Sequence, residues 1–406
     1  MKTLTDIIDL INNGENSFIE FKTEKVDNAK LAKEMVAFAN SKGGTLLIGV
    51  EDDGQLVGIS APKLEQRIMN IASSSIYPSL IPLYYELTVE NKKIAVVEIE
   101  QGINKPYCYN REGKSHYYIR FGSESRIATR EQLQRLFQAS GNIHFELKPV
   151  FGATTTDLDM DLVENFCFYH RHIDLNSLTQ DEQINFLINM QLLIMEENQT
   201  CATVAGLLLF GRDPKRFLYQ AGISVVRYKG VEKSYDYVKR EIRKPAISKQ
   251  DKNTLKIVVD GSIDDALRFV SEQIPQKAGL QGARREVQYA YPIESVREVI
   301  VNAVAHRDYT IAGADISVDI FDDRLEVTSP GKIPNTLTIE KMKIGTKYYR
   351  NQLMVDYLAE AGYMDKNSLG IPLKILKLCR EYTGKEPLIE EIGEKLKVIL
   401  YPRKDI

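Results

Sequence analysis

Acidic residues close to a lysine, within the first sixty positions, have the composition of a phosphodiester-cleaving centre. The segment SFIEFKT alternates with a period of two, which predicts a strand with Phe18, Glu20 and Lys22 on one face. Glu15 lies five residues before Glu20, and the turn Glu51–Asp53 follows the apolar strand TLLIGV. If that strand pairs beside the first, the acids of the turn reach the same place. Carboxylates can hold Mg²⁺ or Mn²⁺ through oxygen ligands while the ammonium stabilises a phosphate, so the pattern is typical of metal-dependent cleavage.

An ordinary surface ion pair explains the same spacing. Glu and Lys two residues apart on an exposed strand face are common stabilisers of sheets. The residues alone therefore leave both interpretations open.

A second polar pattern lies on a predicted helix from Ile293 to His306. Apolar residues make a stripe along this helix, whereas polar side chains recur every four residues on another face: Glu294, Glu298, Asn302 and His306. The pair Glu298 and Asn302 is similar to the ExxxN box of GHKL ATPases, in which the Glu orients a water and the Asn holds Mg²⁺ on the phosphates. The solvent face of an amphipathic helix is the alternative explanation.

A run of basic residues, VKREIRKPAISKQDK, follows Tyr235 and Tyr237. Cations that track phosphates, beside rings that stack on bases, are typical of nucleic-acid-binding loops. The residues predicted to contact phosphate are Lys239, Arg240, Arg243 and Lys244. A solvated charged loop explains the run at least as well, because a charge run alone is weak evidence.

Composition excludes several classes of protein. Of the 406 residues, 43% are hydrophobic and 27% charged, and no apolar run approaches the ~18 residues of a bilayer span. The N-terminus lacks an apolar signal segment, so we expect a cytoplasmic protein with no membrane partner. A net charge of −3 gives no overall attraction to nucleic acid, so such binding depends on a local basic patch.

The predicted elements divide the chain into three domains of an α+β multidomain protein, since its length exceeds the roughly 100 to 200 residues of one domain. Residues 1–140 alternate helices and strands, and QLVGI is expected to return as a strand after the turn EDDG. Residues 141–284 form a middle α/β segment with helices, the strand pair AGLLLFG and AGISVVRYKG, and the basic run. Residues 285–406 form a last α/β unit.

Three long stretches resemble one family in order along the chain. ENSFIEFKTE, AFANSKGGTLLIGVEDDGQLVGI and YYIRFGSESRIATREQL are similar to the Schlafen AlbA_2 family over most of the first 140 residues. In Schlafen nucleases, two glutamates five residues apart and a later aspartate form an RNA-cleaving centre. The resemblance therefore implies Glu15, Glu20 and Asp52 as catalytic and metal-binding residues, with Lys22 beside them. Asp53 is the second choice for the aspartate, and the interval from Glu20 to Asp52 is shorter than in the animal proteins.

The last third of the chain resembles a second family. EVIVNAVAHRDYTIAGADISVDIFDDRLEVTSPGKIP and LGIPLKILKLC are similar to the GHKL-like module that follows AlbA_2 domains in proteins often labelled RecG-like, although no helicase motif is present. This implies an α/β sandwich that binds ATP or another nucleotide through Glu298, Asn302, Gly331 and Gly370, with Asn302 on the metal. The adenine-contacting Asp-x-Gly-x-Gly is replaced by Ser329–Gly331, and the second glycine motif is reduced to Ser368–Ile371. We therefore expect weak or absent hydrolysis.

These observations support three hypotheses. The first is a nucleic-acid-binding, metal-dependent nuclease acting on RNA or DNA, gated by nucleotide or by homo-oligomerisation through the C-terminal domain; the resemblance adds a role in anti-phage or stress defence. The second is a non-catalytic DNA-binding regulator whose GHKL-like domain is a scaffold. The third is a GHKL-type ATPase that remodels a partner protein. Convergence of the acids near Glu20 separates the first two, since a binding module does not need carboxylates that repel phosphate.

Overall fold

The computed structural model of the chain describes residues 2–140, 144–197, 199–251, 253–254, 256–281, 284–333, 337–366 and 369–406. They form two compact units, Met1–Ile143 and His144–Ile406. Helices and strands occur together in both units, which confirms the mixed α and β fold class. In the described part of the chain, no helix is long and apolar enough to cross a bilayer.

The N-terminal unit contains four helices and nine strands among its described residues. The helices are α1 (Leu4–Asn13), α2 (Asn28–Asn40), α3 (Leu64–Ser74) and α4 (Arg130–Ala139). The strands are β1 (Ile19–Lys22), β2 (Gly44–Ile48), β3 (Ile76–Tyr77), β4 (Leu83–Val89), β5 (Lys92–Ile99), β6 (Cys108–Arg111), β7 (Lys114–His116), β8 (Tyr118–Phe121) and β9 (Glu124–Ile127).

A four-stranded sheet in the order β1-β2-β5-β4 is the centre of this unit. β1 and β2 are parallel neighbours, which is the pairing that brings the turn Glu51–Asp53 to the end of β1. The other neighbours are antiparallel. One face of the sheet buries Phe21 and Leu47 against Ile7 of α1. The other face buries Leu46 with Leu31 and side chains of α2 and α3. β1 is therefore covered on both faces, which a surface strand would not be.

The segment QLVGI does not form the expected strand. Among the described residues it makes the isolated bridge between Val50 and Leu56. The N–H groups of Val57 and Gly58 both donate to the carbonyl of Gly49 at 2.9 Å. These bonds hold the segment in a tight loop, so it does not form a regular strand ladder.

The second unit contains the rest of the described helices and strands. The α-helices are α5 (Met160–Phe166), α6 (Gln180–Asn189), α7 (Val204–Phe210), α8 (Pro214–Phe217), α9 (Ser262–Gln273), α10 (Ile293–His306), α11 (Ile339–Lys343), α12 (Gln352–Glu360) and α13 (Leu378–Thr383). Two π-helical segments, Cys167–Arg171 and Gly370–Lys377, precede or follow these helices, and short 3₁₀ turns are Phe145–Leu147, Thr155–Asp157 and Leu175–Ser177.

Its strands are β10 (Leu193–Glu196), β11 (Gln199–Ala202), β12 (Ile223–Tyr228), β13 (Tyr237–Ile242), β14 (Lys249–Gln250), β15 (Ile257–Val259), β16 (Gln276–Gln281), β17 (Arg284–Tyr289), β18 (Ile316–Ile320), β19 (Leu325–Pro330), β20 (Leu388–Ile392) and β21 (Lys395–Leu400). Six of them form one sheet in the order β13-β12-β18-β19-β21-β20, in which β12 and β18 are parallel. Helices α9 and α10 pack against this sheet.

The boundary predicted near residue 284 does not separate two compact units. β12 and β13, from the predicted middle segment, share the six-stranded sheet with β18 from the predicted last domain. Val225 and Val318 from the two segments lie in one core. The other predicted boundary, at residue 140, lies beside the observed division after Ile143.

The apolar segment AGLLLFG forms helix α7 instead of the expected strand. The hydroxyl of Thr203 accepts a hydrogen bond from the N–H of Gly206 at 3.0 Å and caps the helix. All residues of α7 are buried. Because an element covered on every side shows no polar face, its apolar run does not distinguish a helix from a strand.

Phe21→Ala should lower the free energy of unfolding of the N-terminal unit by about 3–5 kcal/mol, because it leaves a cavity beside a fully buried strand. Phe18→Ala is the matched control, since the ring of Phe18 is 50% exposed and should cost much less. Hydrogen exchange of β1 and β2 in the full-length chain measures both losses. Equal losses would contradict this account of the core.

Candidate functional site

Four of the predicted residues meet at the carboxyl ends of the parallel strands β1 and β2. The Nζ atom of Lys22 lies 2.7 Å from Glu20 Oε1, 3.7 Å from Glu15 Oε1 and 3.8 Å from Asp52 Oδ1. Lys22 ends β1 opposite Ile48, and Asp52 follows β2 at the same edge. We call Glu15, Glu20, Lys22 and Asp52 the acidic cluster.

Glu20 is the most enclosed member of the acidic cluster. Its side chain is 8% exposed, and each of its oxygens contacts a cation. Oε1 accepts from Lys22, and Oε2 accepts from Nη1 of Arg120 at 2.8 Å. An exposed pair on a strand surface, the simpler explanation of the spacing, does not describe this arrangement.

Arg120 is a central residue that the sequence analysis did not select. Its side chain is 2% exposed, and Nη1 also donates to Glu34 Oε2 at 2.9 Å and to the Ser125 hydroxyl at 3.2 Å. The guanidinium lies 4.7 Å from the centre of the Phe38 ring. Arg120 thus joins β1, α2 and β8 through buried charges.

Two signals in the sequence could have identified these residues. Glu34 lies between Leu31 and Phe38 at helical spacing, so it shares the buried face of α2. Arg120 stands between apolar residues in the strand YIRF. Charged residues at buried positions need partners of opposite charge, which predicts that the two pair.

Glu15 and Asp52 face solvent more than Glu20 does. Glu15 Oε1 accepts from the N–H of Phe21 at 2.8 Å. Burial raises the pKa of Glu15, and the nearby charge of Glu20 adds to this effect. Burial alone would lower the pKa of Lys22, but the hydrogen bond and charge of Glu20 outweigh it and raise that pKa. The side chain of Asp52 is 82% exposed, so the cluster opens to solvent on its side.

Asp53, the second choice for the aspartate, points back into its own turn. Its Oδ1 accepts a hydrogen bond from the N–H of Gln55 at 2.9 Å. Asp52 is the aspartate of this turn that contacts Lys22.

The donor set of the acidic cluster fits a divalent ion in chemistry and charge. Three carboxylates supply the oxygen ligands that Mg²⁺ and Mn²⁺ prefer. Three carboxylates against the one ammonium of Lys22 leave two uncompensated negative charges, while Arg120 and Glu34 offset each other. Even so, among the described residues no three acidic, histidine or cysteine side chains are arranged as a ready metal site. The ammonium of Lys22 lies where the three carboxylates meet.

The second predicted constellation lines a cavity of about 150 Å³ in the second unit. Helix α10 places Glu298 and Asn302 on its wall, and Asn302 Nδ2 donates to Glu298 Oε1 at 3.2 Å. Among the described residues, Glu298 Oε2 is buried with no hydrogen-bond partner, and the Nζ atom of Lys374 lies 3.9 Å from it. The exposed-face explanation of α10 is therefore wrong for Glu298, which is 5% exposed.

The two predicted glycines of this cavity are required by close packing. A Cβ at Gly370 would collide with Glu298 Oε1. A Cβ at Gly331, where φ is +121°, would collide with the side chain of Arg350. Ser368, which begins the second glycine motif, lies outside the described residues.

The position of the missing adenine-contacting aspartate is occupied by a hydroxyl that already has a partner. Ser329 Oγ donates to the carbonyl of Ala303 at 3.0 Å. Nearby, His306 stacks on Tyr349 with ring centres 6.0 Å apart. Burial, with the charge of Arg350, lowers the pKa of His306 to about 4, so its ring is neutral at neutral pH. The cavity therefore presents a paired hydroxyl at Ser329 and a neutral ring at His306, where an active GHKL site would be expected to have a carboxylate.

The predicted basic loop is partly an edge strand with its charges paired. Lys239 and Arg240 lie on β13, at the edge of the six-stranded sheet. Arg240 and Lys244 both bind the buried carboxylate of Asp265, at 2.6 and 3.1 Å, and Arg243 lies 3.2 Å from Glu241. Lys239 is exposed. A phosphate-binding role for the four residues stays a prediction, but two of them, Arg240 and Lys244, already form ion pairs with the buried Asp265.

Comparison with protein families finds one match near each end of the chain. Residues 15–129 match the family described as Schlafen, AlbA_2, and residues 313–400 match the family described as putative ATP-dependent DNA helicase recG C-terminal. The protein thus combines an N-terminal AlbA_2 domain with a C-terminal HATPase-like module, as the resemblances implied. Together these domains indicate a function related to nucleic acid. Glu298 and Asn302 precede the matched part of the second family.

Two solved structures are similar to the chain. The crystal structure of the DIP2311 protein from Corynebacterium diphtheriae is 19% identical, with a TM-score of 0.46, and the match covers 98% of this chain and 80% of that one. The solution structure of the N-terminal domain of a putative ATP-dependent DNA helicase RecG-related protein from Nitrosomonas europaea is 26% identical, with a TM-score of 0.25, and the match covers 32% and 95%. No curated protein gives a match.

Arg120→Met should lower the free energy of unfolding of the N-terminal unit by about 3–5 kcal/mol, because it leaves two buried carboxylates without their cation. Arg126→Met, on the exposed part of the same hairpin, is the control and should change stability by less than about 0.5 kcal/mol. Urea unfolding of the full-length chain, followed by hydrogen exchange of β1 and α2, measures both. A loss for Arg120→Met as small as that of the control would refute the structural role of these ion pairs.

Proposed function

We propose that the N-terminal unit binds nucleic acid at the acidic cluster and cleaves its phosphodiester bonds. The observation that carries the proposal is the convergence of Glu15, Glu20 and Asp52 on Lys22 within 3.8 Å, at the solvent-facing edge of β1 and β2. RNA and DNA share the phosphodiester group that such a centre attacks, so both are substrates to be tested.

The residues of the cluster divide the chemistry among themselves. Glu15, Glu20 and Asp52 would hold a Mg²⁺ or Mn²⁺ ion, which supplies positive charge for the phosphate and acidifies a bound water. The ammonium of Lys22 is available to a phosphate oxygen beside them.

Cleavage accounts for the cluster better than binding alone does. A regulator that only grips the backbone needs cations, and carboxylates placed beside a phosphate repel it. The acidic cluster instead places three carboxylates around one ammonium at an open edge. Control by the C-terminal domain, a homo-oligomer and a role in anti-phage or stress defence rest on the family resemblance and stay predictions.

Glu20→Gln should reduce cleavage by about 100-fold or more while leaving nucleic-acid binding intact or tighter, because it removes a metal ligand and a negative charge close to phosphate. The assay incubates the full-length chain with tRNA, single-stranded DNA and duplex DNA, each with Mn²⁺ or with EDTA. Glu65→Gln, an exposed carboxylate on α3, is the control and should cleave like the parent.

Two outcomes of this assay oppose the proposal. Equal cleavage by Glu20→Gln and the parent would move the activity away from the acidic cluster. Binding without cleavage of any substrate by the parent would favour the non-catalytic regulator.

A second candidate function belongs to the cavity of the second unit, namely nucleotide binding. Within the described part of the chain, the buried Glu298 Oε2 has no hydrogen-bond partner, and a buried carboxylate oxygen in this state favours a ligand that supplies a donor or a metal ion. The amide oxygen of Asn302 could hold Mg²⁺ on bound phosphates. An ATPase that remodels a partner protein would also need hydrolysis, which the missing aspartate at Ser329 disfavours.

ATP and GTP should bind the second unit weakly and with similar affinity, because the aspartate that selects adenine is absent and a site without the selective hydrogen bond discriminates poorly. Asn302→Ala should weaken both. Calorimetry with each nucleotide and Mg²⁺ measures the affinities. Tight binding selective for ATP would show that another residue replaces the aspartate, and no binding of either would leave this domain a scaffold.

A further inference from the structure

The ammonium of Lys22 contacts the same three carboxylates that would hold a metal ion at the acidic cluster. Its Nζ atom is 2.7 to 3.8 Å from one oxygen of each carboxylate, and it also donates to the carbonyl of Phe21 at 2.6 Å. Mg²⁺ binds carboxylate oxygens at about 2.0–2.1 Å. An ion bound to the same three oxygens would therefore lie within a few ångströms of the ammonium.

Electrostatics oppose joint occupancy. Two cations a few ångströms apart in a half-buried site repel each other strongly. The side chain of Lys22 is 18% exposed, so water screens this repulsion only in part. Ammonium and ion are alternatives for the same carboxylates.

We propose that Lys22 competes with the divalent ion for Glu15, Glu20 and Asp52, so that the ion enters only after the ammonium has moved away. This inference rests on the proposed nuclease centre and adds a gate to it. The phosphate of an arriving nucleic acid is an anion that can receive the displaced ammonium. The ammonium of Lys22 then binds the phosphate, and the three carboxylates can bind the ion.

Arg120 makes the displacement of Lys22 feasible. Glu20 Oε2 keeps its bond to Arg120 when Oε1 loses Lys22, so the buried carboxylate is not left without a cation. Asp52, on the exposed side of the cluster, leaves the ammonium a path to solvent. The gate can therefore open without unfolding the strand that carries it.

The test is a calorimetric titration of the full-length chain with Mn²⁺ in the absence of nucleic acid. Lys22→Met should bind Mn²⁺ about tenfold or more tightly than the parent, since the ion no longer displaces charge-assisted hydrogen bonds. Lys25→Met is the matched control, because it removes an exposed ammonium three residues after β1, and it should bind like the parent. The double variant Lys22→Met with Glu20→Gln should lose the gain.

Equal Mn²⁺ affinity in the parent and in Lys22→Met would overturn the proposal, as would a gain that survives Glu20→Gln. Lys22→Gln, which keeps a hydrogen bond to Glu20 but no charge, repeats the comparison if Lys22→Met does not fold. Because the titration contains no nucleic acid, its result is independent of cleavage. A gain in Mn²⁺ affinity in a protein that cleaves nothing would refute the proposed nuclease and leave the competition standing.

Discussion

The N-terminal site depends on one buried guanidinium. Burying Glu20 and Glu34 without a cation would cost several kcal/mol for each charge, so the sheet can hold them inside only because Arg120 lies between them. This contact couples strand β1 and helix α2 to strand β8, whose Arg120 lies 100 residues after Glu20 and 86 residues after Glu34. Glu20 is therefore held on the buried side of the acidic cluster, while Asp52 and Lys22 lie on the side that faces solvent.

The buried glutamates of the two units, Glu20 and Glu298, differ in the partners of their carboxylate oxygens. Each oxygen of Glu20 contacts a cation, and both cations belong to the same unit. Glu298 has one oxygen bonded to Asn302; the other makes no hydrogen bond to a described residue and lies 3.9 Å from the Lys374 ammonium, at the wall of a cavity. The first arrangement is complete without a ligand, so a metal ion must compete for it. The second is incomplete, which is the condition under which a ligand gains most from binding.

Errors in the sequence interpretation share a physical cause. The strand expected at AGLLLFG is a helix because an element buried on all sides loses its periodic signal. The predicted boundary near 284 crosses a sheet, since parallel pairing of β12 with β18 joins distant segments. Burial on all sides and pairing between distant strands both depend on the tertiary structure, which local sequence pattern does not reveal.

Local pattern was sufficient for β1, for α2 and for the order of strand, helix and strand that brings Asp52 beside Lys22, because alternation, caps and turns act between near neighbours. The family resemblance added which acids to choose. Tertiary structure alone decided that Glu20 is buried, that Arg120 neutralises it and that the Lys22 ammonium takes the place between the carboxylates. Burial and ion pairing depend on which side chains, distant in sequence, pack together in the folded chain. The spacing of residues along the sequence does not show this.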